Sequence, residues 1–298
     1  MRVNLSSLAP LLLTLTAAPA VAQPASDIYL ARLHAEGGNW RIETPRNITH
    51  RPTGYDNQPH FTPDGRSLLF TSIRDDGQAD TYIYDLASGE TRRVTRTAES
   101  EYSPTPMGAV DGRFSVVRVA ADSSQRLWSF DASGGEATLL LPGVEPVGYH
   151  TWVDSTTVAL FVLGTPPTLQ LADIESGSSR KMAESIGRSL HMIPGTRDLA
   201  FVHKASKEEW WIKALDTESG AVRRLVETLP ESEDFAVTAA GTILMAQGTT
   251  VFRWNGREGG DWQPVGDLSA GSITRVTRIA VAPDDSRIAF VAIREGAD

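Results

Sequence analysis

Phe61-Thr62-Pro63-Asp64-Gly65-Arg66-Ser67-Leu68-Leu69-Phe70 is the stretch from which the rest of the chain can be read. Pro63 presets one φ, Asp64 offers a carboxylate to the turn backbone, and Gly65 is free to take φ > 0. The run therefore spells a tight turn between an incoming strand and an apolar one. Ala280-Val281-Ala282-Pro283-Asp284-Asp285-Ser286-Arg287-Ile288-Ala289-Phe290 is a close copy, and Met192-Ile193-Pro194-Gly195-Thr196-Arg197-Asp198-Leu199-Ala200-Phe201 is a looser one. Asp111-Gly112-Arg113-Phe114, Asp154-Ser155 and Gly241-Thr242-Ile243-Leu244 are degenerate versions. Pro194 follows Pro63 by 131 residues and Pro283 follows it by 220, which is three and five steps of about 44.

A second signature lies between the copies: an alternating strand, an Asp or Asn, then a glycine. It reads Tyr82-Ile83-Tyr84-Asp85 with Gly89, Leu127-Trp128-Ser129-Phe130-Asp131 with Gly134, and Leu169-Gln170-Leu171-Ala172-Asp173 with Gly177. It continues as Ile212-Lys213-Ala214-Leu215-Asp216 with Gly220 and Val251-Phe252-Arg253-Trp254-Asn255 with Gly259. Several short strands per period of about 40 to 45 residues is the pattern of propeller blades.

The Phe61–Phe70 run followed by Thr81–Thr95 resembles the repeat of the TolB-type, WD40-like propeller family. The resemblance spans residues 23–298, strongest over Gln58–Thr95 and in the last segment. It implies an all-β fold, a six-bladed β-propeller. The last copy stops at Ala292-Ile293-Arg294, and its continuation is found at the other end of the chain. Asp27-Ile28-Tyr29-Leu30 matches the third strand, and Glu43-Thr44-Pro45-Arg46-Asn47-Ile48-Thr49 parallels Glu90-Thr91-Arg92-Arg93-Val94-Thr95. The last blade is thus expected to be closed by strands from both termini, inner pair from the C-terminus and outer pair from the N-terminus. TolB proteins carry an α/β domain ahead of the propeller. Six blades use up residues 23–298, and no Gly-x-Ser-x-Gly elbow is present, so the propeller is expected to act alone.

Arg2, the apolar Leu8–Leu15 stretch and Ala20-Val21-Ala22 read as a signal peptide over residues 1–22, cleaved after Ala22. The expected location is periplasmic or secreted. With no cysteine, the chain can form neither a disulfide nor a thiolate metal site. Its 28 basic against 37 acidic residues, net -9, and the lack of any Lys/Arg-rich run disfavour nucleic acid as a partner. No later apolar run is long enough to span a membrane. A monomer is expected.

Propellers act through the central channel and its mouths. The channel strands should precede the Pro-Asp-Gly turns, roughly Asn57–Thr62, Pro104–Ala109, Gly148–Val153, Ser189–Ile193, Asp234–Thr238 and Arg278–Ala282. His60 and His191 stand three residues before Pro63 and Pro194, in blades that face each other across a six-membered ring, and His150 is one residue off that position. Converging imidazoles can bind a divalent metal or exchange protons. Oligogalacturonate lyases are similar in this one respect, being seven-bladed propellers whose inner histidines hold a metal. A second candidate set, expected at the starts of the inner strands as a ligand- or partner-binding rim, comprises Asp56, Asn57, Tyr149, Arg188, Asp234 and Arg278, with Glu101, Tyr102, Glu233 and Arg275 beside them. The leading expectation is a non-catalytic module without a cofactor that binds an envelope protein or peptide. The alternative is a metal-dependent lyase or hydrolase with one divalent metal on His60, His150 and His191.

Overall fold

The Pro-Asp-Gly turn is built as its residues dictate. In the computed structural model, which describes residues 25–36, 38–51, 54–108, 112–256, 260–269 and 273–294, Asp64 Oδ1 accepts the Arg66 amide at 3.0 Å and the Thr62 hydroxyl at 2.6 Å. Gly65 takes φ +65°. In the last copy Asp285 occupies the glycine position at φ +57°, a conformation Asp tolerates better than most residues. The second signature is equally regular: Asp85, Asp173 and Asp216 each accept the amide three residues on, at 2.7 Å. Residues 1–22, Gly37, Ala109, Asp111 and Gly259 lie outside the described residues.

These turns connect six antiparallel sheets, and in blades 1 to 5 each strand lies beside its sequence neighbour. Blade 1 runs outward from the axis as Tyr55–Phe61, Ser67–Ile73, Ala79–Asp85 and Thr91–Arg93. The inner strands of blades 2 to 5 are Ser100–Pro106, Val147–Trp152, Ile186–Met192 and Phe235–Val237. Blade 6 takes Ile273–Val281 and Arg287–Arg294 from one end of the chain and Asp27–Glu36 from the other. The fold is an all-β, six-bladed β-propeller, as the repeat implies.

The core is six seams rather than one centre. Neighbouring residues of the second strands serve opposite seams. Leu68 packs toward blade 6 with Ile28 and Val291, while Leu69 packs toward blade 2 with Phe114 and Val116. Ala159 and Leu160, Val116 and Val117, and Leu244 and Met245 divide in the same way. A strand buried on both faces needs an unbroken apolar run, which is why Leu68-Leu69-Phe70 and Leu199-Ala200-Phe201 do not alternate.

Ring closure follows the expected pairing and adds to it. Asp27 pairs with Ala292 and Arg32 with Arg287, and Tyr29 stacks on Phe290 at 5.5 Å. The outer strand comes in two pieces: Arg46–Asn47 pairs with Tyr29 and Leu30, and Asn39–Ile42 pairs with Leu33–Glu36. The second piece makes a hairpin that leans on blade 5, where Arg253 lies 5.2 Å over the Trp40 ring. No helix among the described residues is long and apolar enough to cross a membrane.

Candidate functional site

Five of the six inner strands carry a β-bulge at mid-channel. Pairing skips Gln58-Pro59 in blade 1, Ser103-Pro104 in blade 2, Gly148 in blade 3, Gly187-Arg188-Ser189 in blade 4, and Thr274 and Thr277 in blade 6. Gln58 and Ser103 hold φ of +57° and +54°. A bulge re-aims the side chains around it, and here it turns polar groups into the channel.

Those groups form a septum. Arg278 Nη2 donates to the Tyr149 hydroxyl at 2.9 Å, and its guanidinium lies 4.9 Å from that ring's centroid. Arg278 Nη1 sits 3.4 Å from Asp234 Oδ2, and Asp234 Oδ1 accepts the Ile279 amide at 3.0 Å. Arg188 joins from blade 4: Nη1 is 3.3 Å from Glu233 Oε1, and Nη2 donates to the Thr277 carbonyl at 3.3 Å. Lys204 closes the chain of charges on Glu233 at 2.5 Å. In blade 1, Gln58 Oε1 accepts the Ser103 amide at 2.8 Å. Burial pushes the Asp234 carboxyl up, with Arg278 and Arg188 opposing. Burial works against the Arg278 charge, but Tyr149 and Asp234 outweigh it and hold its pKa above the ordinary value.

The septum divides the channel. On the turn-bearing side lies a cavity of about 170 Å³, and on the other side two wider clefts of about 700 and 450 Å³. Gln58 and Tyr149 wall the cavity from one cleft, and Arg188, Asp234 and Arg278 wall it from the other. Arg275 lines the second cleft, and Tyr102 the first.

His60, His150 and His191 all line the cavity. The one-residue offset of His150 matters, because side chains alternate along a strand. His150 Nε2 meets Ser115 Oγ of blade 2 at 2.7 Å, whereas His191 packs edge-on against Phe235 of blade 5 at 5.0 Å. Burial lowers the pKa of His60 to about 4, of His150 to about 3 and of His191 to about 4, so all three are neutral imidazoles at pH 7. His150 Nδ1 is sealed from solvent with no partner. Two imidazoles, not three, therefore turn a free nitrogen to the cavity. Among the described residues no three His, Cys, Asp or Glu side chains are grouped to hold a metal ion.

Tyr149, Arg188, Asp234 and Arg278 thus gather where the sequence places them, but as a floor across the channel rather than a solvated rim. Asp56 and Asn57 do not join them. Both lie before the bulge and are buried at the seam between blades 6 and 1, where the Ser26 hydroxyl donates to the Asp56 carbonyl at 3.1 Å. Burial raises the Asp56 pKa against Ser72 and Arg74. Glu101 is also fully buried, which lifts its pKa to about 7 despite the hydroxyls of Thr97 and Thr95. Gln58 was not among the sequence candidates. Its signal is Pro59, since a proline within a central strand marks a bulge.

Comparison with known proteins bears on the fold. No protein-family model matches the chain, and no curated protein does. Solved structures do match. A protein from Agrobacterium tumefaciens assigned as a TolB superposes with TM-score 0.70 at 14% identity, covering 91% of this chain and 99% of that one. TolB from Acinetobacter baumannii superposes at 0.58 with 13% identity, over 90% of this chain and 64% of that one. An oligogalacturonate lyase in complex with manganese gives 0.59 at 15% identity, over 91% of each. This chain is therefore similar in fold to TolB and related propellers.

Proposed function

We propose that this propeller is a non-catalytic binding module of the cell envelope, and that its histidine-lined cavity receives part of a partner protein through the turn-bearing mouth. The observation that carries this reading is the septum. It spans the channel and backs a cavity of about 170 Å³, below the ~300–1,000 Å³ typical of sites that enclose a whole small molecule. A pocket of that size suits one inserted side chain. The floor's charges are largely spent on one another, so the cavity offers shape and hydrogen bonds rather than a reactive charge. Export, read from residues 1–22, and the structural likeness to TolB point to an envelope partner.

A photo-crosslinking amino acid at the exposed mouth residue Pro283, introduced in producing cells, tests this. A discrete adduct with one envelope protein is expected, and none from the same probe at Arg180 on the exposed outer edge of blade 3. Equal labelling from both positions, or none from either, would sink the reading.

The competing reading is a metal-dependent lyase or hydrolase, favoured by three imidazoles lining one cavity. The donor set fits a metal poorly, since His150 spends Nε2 on Ser115 and buries Nδ1. Metal analysis of the purified protein decides it: one equivalent of a transition metal, lost in His60→Ala/His191→Ala, would replace the binding reading.

A further inference from the structure

The protonation of the two cavity-facing histidines follows from their neighbours. His191 Nε2 lies 3.2 Å from Ser189 Oγ. That hydroxyl has one proton, which it donates to the Phe235 carbonyl at 3.1 Å, and it accepts the Phe235 amide at 3.2 Å. With that proton on the Phe235 carbonyl, one lone pair is left for His191, which assigns Nε2 as the donor. The ring is neutral, so Nδ1 carries a lone pair. That nitrogen has no partner and is not among the sealed polar atoms, so it opens on the cavity that the ring lines.

His60 has the opposite arrangement. Its Nδ1 is sealed and unpaired, whereas its Nε2 is not among the sealed atoms. A sealed N–H without an acceptor is the rarer and costlier state. The proton therefore belongs on Nε2, facing the cavity. Blade 1 thus presents an N–H, and blade 4, opposite it, presents a lone pair. Arg278 does not add a free charge between them, being held by Asp234 and Tyr149.

We propose that the cavity takes a neutral carboxamide, the side chain of an asparagine or glutamine on the partner protein, with its carbonyl on His60 Nε2–H and its NH2 on His191 Nδ1. The proposal rests on the binding reading and narrows it. A carboxylate lacks the donor that His191 needs, and an ammonium lacks the acceptor that His60 needs. A hydroxyl concentrates both functions on one atom, whereas a carboxamide sets donor and acceptor on two separate atoms, matching a cavity whose N–H and lone pair come from different blades.

The test is NMR of the full-length mature protein labelled with 15N-histidine. The free protein should show His191 with its proton on Nε2. Propionamide at millimolar concentration should shift the ring nitrogens of His60 and His191 saturably, with propionate at least about tenfold weaker, the effect of one mismatched hydrogen bond. His191→Leu should weaken propionamide by a similar factor. If that variant does not fold, the tautomer in the unsubstituted protein decides. A proton on His191 Nδ1, or propionate binding as well as propionamide, overturns the inference. N-acetylglucosamine shifting both rings as strongly as propionamide overturns the protein source of the group. Failure of propionamide with crosslinking at Pro283 intact removes this inference alone, whereas loss of that crosslink removes the binding reading whatever propionamide does.

Discussion

Arg278 and Tyr149 sit on blades that face each other across the ring, and their 2.9 Å hydrogen bond spans the channel. No other side-chain hydrogen bond among the described residues ties opposing blades directly, so this contact braces the ring. Removing Arg278 leaves the Asp234 carboxylate with only the Arg188 guanidinium, 3.8 Å away, and the Ile279 amide, which costs more than the pair contributes. Arg278→Ala should destabilise by about 3–5 kcal/mol in urea unfolding. Arg278→Met with Asp234→Asn, which removes both charges, should recover most of that loss.

The histidines predict acid lability. Each has a folded-state pKa of about 3 to 4 against an ordinary 6.5, so the unfolded chain binds more protons once the pH falls below 6.5. Their contribution is present above that pH and is lost on the way down to about 4, with a slope of up to ~1.4 kcal/mol per pH unit per histidine. Thermal melts from pH 7 to 4 should show a shallower decline in His60→Gln/His191→Gln than in the unsubstituted protein.

Glu101 works in the other direction. Burial raises its pKa to about 7, so the folded state binds the extra proton, and stability from this group is gained as the pH falls through 7 toward 4.5. Glu101→Gln should be more stable than the parent by about 1 kcal/mol or more at pH 8, with the gap closing by pH 5.

Two turn glycines with the same backbone demand should respond differently to alanine. Gly177, at φ +68°, has nothing near a new Cβ, so Gly177→Ala should cost only the left-handed conformation, about 1 kcal/mol. At Gly134, φ +84°, the new atom would overlap the Val94 carbonyl oxygen of blade 1. Gly134→Ala should cost at least about twice as much, read as the difference in urea midpoints.

The fold was legible because the same turn chemistry recurs wherever the backbone repeats, so even faint copies such as Asp154-Ser155 could be placed by spacing. The split blade was legible for the same reason: Arg46-Asn47 copies the edge strand of blade 1. The site was only partly legible. Tyr149, Arg188, Asp234 and Arg278 share a position near the strand starts, and they meet. Asp56 and Asn57 met the same criterion and are buried, because a bulge separates them from the channel. Strand counting cannot see a bulge; Pro59 and Pro104, inside strands where a ladder amide would be expected, were the clue. The direction of His150 was hidden by the same one-residue sensitivity.

The pairing of Asp27 with Ala292 has a consequence for orientation. The first described strand starts beside the point where the last one finishes, on the face opposite the Pro-Asp-Gly turns. A segment attached directly at Asp27 or Ala292 leaves the ring from the cleft side, with the histidine cavity on the opposite face.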